Sequence, residues 1–84
     1  MPSPEFVLYV RLGCHLCETA AAELAHAGVA FARVDIDRDD ALREEYGTLV
    51  PVLHDRGRDR EWYYPFSGNF FKEWHDEKNR PDSD

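Results

Sequence analysis

The chain has 84 residues, of which 43% are hydrophobic, and carries a formal net charge of −7 at pH 7. This length allows one compact domain with one core and is too short for two, while the negative charge repels nucleic-acid phosphates and anionic lipid headgroups. Because no apolar run approaches the roughly 20 residues of a membrane-spanning helix, and residues 1–10 lack the basic start of a secretory signal, we expect a cytoplasmic protein that binds neither nucleic acid nor membranes.

The first half of the chain predicts two strands joined by a helix. Residues 5–10 (EFVLYV) are rich in β-branched and aromatic side chains, which is typical of a buried strand. Residues 15–27 place leucines and alanines, Leu16 among them, at helical spacing and are followed by Gly28 as a C-terminal stop. Residues 29–36 predict a second strand. Since a helix connects the two strands, we expect them to pair in parallel.

The second half predicts a short helix followed by a hairpin. Aspartates from Asp37 onward can cap a helix that stops at Gly47. Residues 49–54 and 60–64 predict two strands around a polar turn, which is the pattern of an antiparallel hairpin. Pro51 must lie at the beginning of its strand, because proline cannot donate a hydrogen bond to a central ladder.

A last helix and a charged tail complete the predicted domain. Ser67 is the predicted cap of this helix. Its aromatic side chains, at helical spacing, predict a core-facing side made of Phe70, Phe71 and Trp74. From about Glu77 the chain is charged and has nothing to bury. We therefore expect one domain over residues 1–76 and a flexible acidic tail over residues 77–84.

Residues 11–18 (RLGCHLCE) hold both cysteines of the chain, Cys14 and Cys17, with two residues between them. Such a pair can bind a metal, form a structural disulfide or exchange electrons. A structural bridge over so short a loop removes little chain entropy, and it is uncommon in a reducing cytoplasm. A closed zinc site needs four ligands, but no second CxxC is present. We interpret the pair as redox-active, with a zinc-binding or partner-binding module as the alternative.

The order of strand, CxxC and helix assigns different roles to the two cysteines. Cys14 falls at the helix N-terminus, where unpaired N–H groups and the helix dipole favour a thiolate, so it is the predicted nucleophile. Cys17, one turn deeper, is the predicted resolving thiol that attacks the mixed disulfide. Arg11 and a protonated His15 are expected to stabilise the Cys14 thiolate, whereas Glu18, one turn after Cys14, opposes it.

This ordered set of elements resembles the glutaredoxin branch of the thioredoxin fold over roughly residues 5–76. Residues 8–17 (LYVRLGCHLC) are similar to the LYxRxxCxLC start of small glutaredoxin-like proteins. The resemblance implies an α/β fold with a four-stranded mixed sheet in the order 2-1-3-4, flanked by three helices. It also implies thiol–disulfide oxidoreductase activity, and a cis Pro51 across from Cys14 that leaves the Val50 backbone free to pair with an extended substrate or glutathione.

Three departures from the glutaredoxin pattern bear on the substrate. Residues 15–16 replace the usual Pro-Tyr, Leu49 replaces a threonine, and the Gly-Gly-acidic clamp for glutathione is reduced to residues 67–71 (SGNFF). We therefore expect no tightly bound cofactor and only weak use of glutathione as a co-substrate. The predicted partner is a disulfide-containing protein or a small thiol, with the chain acting as a monomer. The candidate substrate-binding residues are Arg11, His15, Val50, Pro51, Ser67 and Gly68.

Overall fold

A computed structural model describes residues 5–66 and 70–79 of the chain. The elements of this part, in chain order, are β1 (Phe6–Val10), α1 (His15–His26), β2 (Phe31–Asp35), a 3-10 turn (Ile36–Arg38), α2 (Asp40–Tyr46), β3 (Val52–Asp55), β4 (Arg60–Tyr63) and α3 (Phe70–Asn79). The strands form one sheet in the order β2-β1-β3-β4, in which β1 pairs with β2 in parallel and the other two pairs are antiparallel. The predicted α/β class, sheet order and three helices are confirmed. No helix in this part of the chain is long and apolar enough to cross a membrane.

The bounds of β2 differ from the prediction at both ends. Val29 is buried but lies outside the strand, because its N–H donates to the Leu24 carbonyl at the end of α1, with an N···O distance of 3.0 Å. Ile36 leaves the sheet at the other end. The Asp35 carboxylate accepts a hydrogen bond from the Asp37 N–H at 3.0 Å, which caps the 3-10 turn. Local hydrogen bonds therefore make the strand shorter at both ends than the apolar pattern predicts.

β3 begins at Val52 and not at Leu49 as predicted. The N–H groups of Leu49 and Val50 both donate to the Tyr46 carbonyl, at 2.9 and 3.1 Å, so these residues continue the turn after α2 and do not pair with a strand. The Val50–Pro51 peptide that follows is cis, as the resemblance implies.

α3 continues beyond the predicted start of the tail at Glu77 and ends at Asn79. The first helix-breaking residue in this stretch of the sequence is Pro81, which disfavours a helical conformation of the residue before it. Residues 77–79 therefore have no local reason to leave the helix. The predicted cap Ser67 and residues 80–84 lie outside the described part of the chain.

The main core lies between the sheet and the helices α1 and α3. Small side chains of α1 allow the helix to pack closely on the strands, and aromatic rings fill the space toward α3. Phe6 and Phe70 meet edge to face with their ring centroids 5.5 Å apart. The buried members are Phe6, Leu8, Ala20, Ala21, Leu24, Val29, Leu53, Phe66 and Phe70. Trp62, Tyr64, Phe71 and Trp74 pack partly buried against them, the last two as predicted, whereas Tyr63 is exposed.

A smaller core covers the opposite face of the sheet, beneath α2. Ile36, Tyr46 and Val52 are buried there, and the Tyr9 ring stacks on the Tyr46 ring with centroids 4.6 Å apart. The Tyr46 hydroxyl donates a hydrogen bond to the Glu61 carboxylate on β4. Burial and this hydrogen bond raise the pKa of Tyr46 well above its ordinary value, because both disfavour the phenolate.

The histidines His26 and His54 differ in their environments. His26 is exposed at the end of α1. His54 is partly buried: its ring stacks near Tyr9, with centroids 6.2 Å apart, and its Nε2 lies 3.1 Å from the Asp59 carboxylate. The sequence of β3 alone could not predict that His54 is partly buried, because Tyr9, which stacks near it, belongs to β1.

Leu53→Ala should lower the free energy of unfolding by about 2–5 kcal/mol, because the side chain is fully buried in a central strand and its removal leaves a cavity. Leu12→Ala is the matched control. Leu12 is 87% exposed, so removing the same atoms there should change the free energy by less than about 0.5 kcal/mol. Urea unfolding of the oxidised protein measures both values, and equal losses at the two positions would contradict the assigned core.

Tyr46→Phe should weaken the loss of stability at alkaline pH. Above about pH 10 the unfolded chain loses the Tyr46 proton while the native chain keeps it, so the native state binds more protons and stability falls as the pH rises. Chemical unfolding between about pH 9 and pH 11 should therefore show a shallower decline in Tyr46→Phe than in wild type. Tyr64→Phe, a control outside the Tyr46–Glu61 contact, should keep the wild-type slope. Equal slopes in wild type and Tyr46→Phe would show that the pKa of Tyr46 is not raised in the native state.

Candidate functional site

The two cysteines lie at the end of the sheet where the chain leaves β1 and enters α1. Gly13 turns the chain with a φ of +76°, a left-handed conformation that glycine adopts without strain. Cys14 follows as the N-cap of α1, with an extended backbone (φ −87°, ψ 108°), and its N–H donates to the Arg11 carbonyl at 3.3 Å. The loop thus places the Cys14 sulfur at the start of the helix, as predicted.

Cys14 and Cys17 are joined by a disulfide, with their Cα atoms 5.2 Å apart. The Cys17 backbone N–H donates to the Cys14 Sγ at 3.1 Å, which gives one of the amides in the first helical turn a partner. Cys14 is partly exposed, whereas Cys17 is 1% exposed. Of the two sulfurs, the Cys14 Sγ is therefore the one that a molecule from solvent can reach more readily.

The Arg11 side chain forms contacts with two other elements of the site. Its Nη2 lies 3.0 Å from Asp37 Oδ1, and its Nε donates to Asp37 Oδ2 at 3.2 Å. Its Nη1 donates to the Gly47 carbonyl at 3.2 Å. The guanidinium charge, expected to support a Cys14 thiolate, is thus offset by a carboxylate. Arg11 instead connects the redox loop to the 3-10 turn and to the end of α2.

His15 and Glu18 occupy the first turn of α1. His15 is its first residue and is exposed. A Glu18 carboxylate oxygen lies 3.4 Å from Arg33 Nη1 on β2, in an ion pair whose members are both exposed. Such a pair contributes little to stability, but it partly neutralises Glu18. The predicted opposition of Glu18 to a Cys14 thiolate is correspondingly weaker.

Val50 and Pro51 lie at the same end of the sheet as the cysteines. Tyr9 of β1 pairs with Val52 of β3 in antiparallel register, so the chain enters β3 where β1 ends. Pro51 is buried. The expectation of a fully free Val50 backbone is wrong for its N–H, because that group donates to the Tyr46 carbonyl, one of the last carbonyls of α2, which lack partners within the helix. The Val50 carbonyl remains as the group that could bind a substrate backbone.

Three exposed leucines at this end of the sheet were not predicted as site residues. Leu12 is 87% exposed, Leu16 52% and Leu49 45%. Helical spacing grouped Leu16 with the other leucines and alanines of α1, but it lies in the first turn and is not part of the packed core. The sequence did indicate that Leu12 is exposed, because a leucine between the end of a strand and a functional cysteine has no core to face.

The described residues bring no further ligand to a zinc site and do not include two of the candidate glutathione contacts. In this part of the chain, no group of three or more His, Cys, Asp or Glu side chains is arranged to hold a metal ion. A zinc site through Cys14 and Cys17 therefore has no further ligands there. Ser67 and Gly68, the remaining candidates for glutathione contacts, lie outside the described residues.

The comparisons with known proteins agree with this geometry. Residues 5–76 match the profile of the family described as "Glutaredoxin-like domain (DUF836)". No match was found among curated proteins. The structure is similar to the X-ray structure of the Northeast Structural Genomics target protein XcR50 from X. campestris, with 44% sequence identity, a TM-score of 0.74, and coverage of 86% of this chain and 96% of that chain.

A second similar structure is the solution NMR structure of protein Ne2328 from Nitrosomonas europaea. It shares 28% sequence identity and has a TM-score of 0.72, with coverage of 88% of this chain and 93% of that chain. Both likenesses extend over most of the chain and are those of small thioredoxin-like folds. A CxxC pair joined at the start of a helix in such a fold indicates a redox-type function. By the match over residues 5–76, the chain belongs to the glutaredoxin-like domain (DUF836) family.

Proposed function

We propose that this chain is a thiol–disulfide oxidoreductase that alternates between a Cys14–Cys17 disulfide and the corresponding dithiol. The observation that carries the proposal is the asymmetry of the pair: a partly exposed Cys14 sulfur accepts a helix N-terminal N–H, and its partner Cys17 is buried. In the reduced chain the same N–H and the helix dipole favour the Cys14 thiolate. Cys14 is therefore the proposed nucleophile.

The proposed reaction consists of two disulfide exchanges. The Cys14 thiolate attacks one sulfur of a substrate disulfide, which forms a mixed disulfide and releases the other substrate sulfur as a thiolate. Cys17 then loses its proton and attacks the Cys14 Sγ, which releases the second substrate sulfur. The chain is left with the Cys14–Cys17 disulfide, and the substrate, having gained two electrons and two protons, is left as two thiols.

An external thiol reductant, such as glutathione or a dithiol protein, would return the chain to its reduced form by the reverse exchanges. The proposed compartment is the cytoplasm, where such thiol pools are kept reduced. Val50, through its carbonyl, is the proposed contact for the substrate backbone, and the buried Pro51 that follows it is proposed to hold that carbonyl in place. Ser67 and Gly68 are proposed from sequence alone. A protonated His15 would add positive charge beside the thiolate and so stabilise the reduced chain.

Cys17→Ser should accumulate mixed disulfides between Cys14 and a substrate, because the resolving thiol is absent. Cys14→Ser, the matched variant, should not, because its remaining thiol is buried. In reduced wild type, Cys14 should also be alkylated faster than Cys17 at neutral pH. Mass spectrometry after incubation with a disulfide measures the adducts. A non-catalytic binding module would form none, and trapping by Cys14→Ser alone would reverse the two roles.

Oxidised glutathione should bind weakly, with NMR shifts that do not saturate in the millimolar range, because Arg11 is paired with Asp37 and the chain carries net negative charge. Asp37→Asn should release the guanidinium and tighten binding by about threefold or more. Asp40→Asn is the matched control, because it makes the same change in net charge but removes the partner of Arg43. Saturation by wild type below one millimolar, or equal effects of the two substitutions, would contradict this explanation.

A further inference from the structure

The exposed leucines of the site form a feature that the disulfide exchange does not require. We call Leu12, Leu16 and Leu49 the leucine rim. Two of them flank Cys14 by two residues on either side, and the third precedes Pro51 by two residues. Among the described residues, Tyr63 on β4 is the other large hydrophobic side chain that is markedly exposed.

The leucine rim belongs to one end of the molecule. Leu12 and Leu16 lie on the loop and first helical turn that carry Cys14, and Leu49 lies on the segment that enters β3. The hydrogen bond from Arg11 Nη1 to the Gly47 carbonyl, at 3.2 Å, ties these two segments together. Single exposed leucines are ordinary on protein surfaces, but several around one reactive group are typical of an interaction site.

An acidic segment lies beside the leucine rim. Val10, the last residue of β1, pairs with Asp35, so the chain leaves β2 next to the redox loop. Residues 35–45 carry two arginines against six carboxylates, namely Asp35, Asp37, Asp39, Asp40, Glu44 and Glu45. Arg11, which lies nearby, is already paired with Asp37. A partner at this end therefore meets apolar side chains bordered by negative charge.

We infer that the leucine rim and residues 35–45 bind an extended, apolar and basic segment that flanks a disulfide in a partner protein. The inference rests on the proposed function and narrows its substrate to protein disulfides. Glutathione is a poor occupant, because it is small, anionic and without apolar side chains that could cover leucine. An apolar and basic segment satisfies both features of the surface, since leucines exclude water from its apolar residues and the carboxylates attract its cations.

Docking can be measured without any redox chemistry. The double variant Cys14→Ser/Cys17→Ser is titrated with the peptide Ac-Leu-Arg-Ser-Leu-Arg-NH2 and, as control, with Ac-Ser-Glu-Ser-Ser-Glu-NH2. We expect saturable NMR shifts of the Leu12, Leu16 and Leu49 methyl groups with the first peptide only, and weaker binding as salt is raised. Shifts that do not saturate, or that map to another face, overturn the inference.

Selectivity in exchange is the second readout. Reduced wild type is mixed with disulfide-linked dimers of Ac-Leu-Arg-Cys-Leu-Arg-NH2 or of Ac-Ser-Glu-Cys-Ser-Glu-NH2, and each rate is divided by the rate of the same dimer with dithiothreitol. The apolar and basic dimer should react about tenfold faster or more on this scale. Replacing all three rim leucines with serine should reduce the preference about fivefold, and the exposed control Tyr63→Ser should retain it. A preference unchanged in the triple variant overturns the inference.

Hydroxyethyl disulfide separates failure of the inference from failure of the proposed function. If wild type reduces this small disulfide but shows no preference between the peptide dimers, the inference is wrong and the proposed function stands. If wild type reduces neither this compound nor either dimer, the proposed function is wrong, and the titration of the double variant alone decides whether the surface binds the peptide.

Discussion

The parallel pairing of β1 with β2 is the constraint from which the site follows. Two parallel neighbours require the chain to cross from the end of the first strand back to the start of the second, and α1 makes that crossing over one face of the sheet. The helix must then begin where β1 ends. Cys14, as its N-cap, accepts a hydrogen bond from one of the unpaired amides of the first turn, that of Cys17, whose buried side chain faces inward with the alanines that pack on the sheet. The difference between the two sulfurs is therefore a product of the topology.

Arg11 shows how the same end of the sheet is held together. Its guanidinium contacts both carboxylate oxygens of Asp37 and the Gly47 carbonyl, so one side chain joins the loops that follow β1, β2 and α2. A lysine could not form these three contacts at once, because its ammonium lacks the planar arrangement of donors. The position therefore carries a structural requirement that is separate from any influence of its charge on a thiolate.

Much of this arrangement could be predicted from the sequence, because local patterns determine it. The strand and helix periodicities, Gly28 and the CxxC spacing each determine the structure within a few residues of their own position. The resemblance to glutaredoxins supplied the sheet order and the cis Pro51. The partner of the Arg11 side chain could not be predicted from such local patterns. Four aspartates lie within residues 35–40, and only the folded chain selects Asp37 among them. The hydrogen bond from Val50 to Tyr46 likewise depends on how α2 ends, and the second cis peptide, Tyr64–Pro65, was not predicted.

Hydrogen bonds of the backbone fix the path of the segment from Gly47 to Val50. Gly47 donates to Arg43 and accepts from Arg11, and the two N–H groups before Pro51 share the Tyr46 carbonyl. A side chain at Gly47 would place its Cβ 2.5 Å from the Arg43 carbonyl oxygen, so a larger residue here would force the backbone to shift. The side chains of residues 48 and 49 are exposed and take no part in these bonds. Substitutions at these two positions can therefore change the surface beside Pro51 without changing the path of the segment.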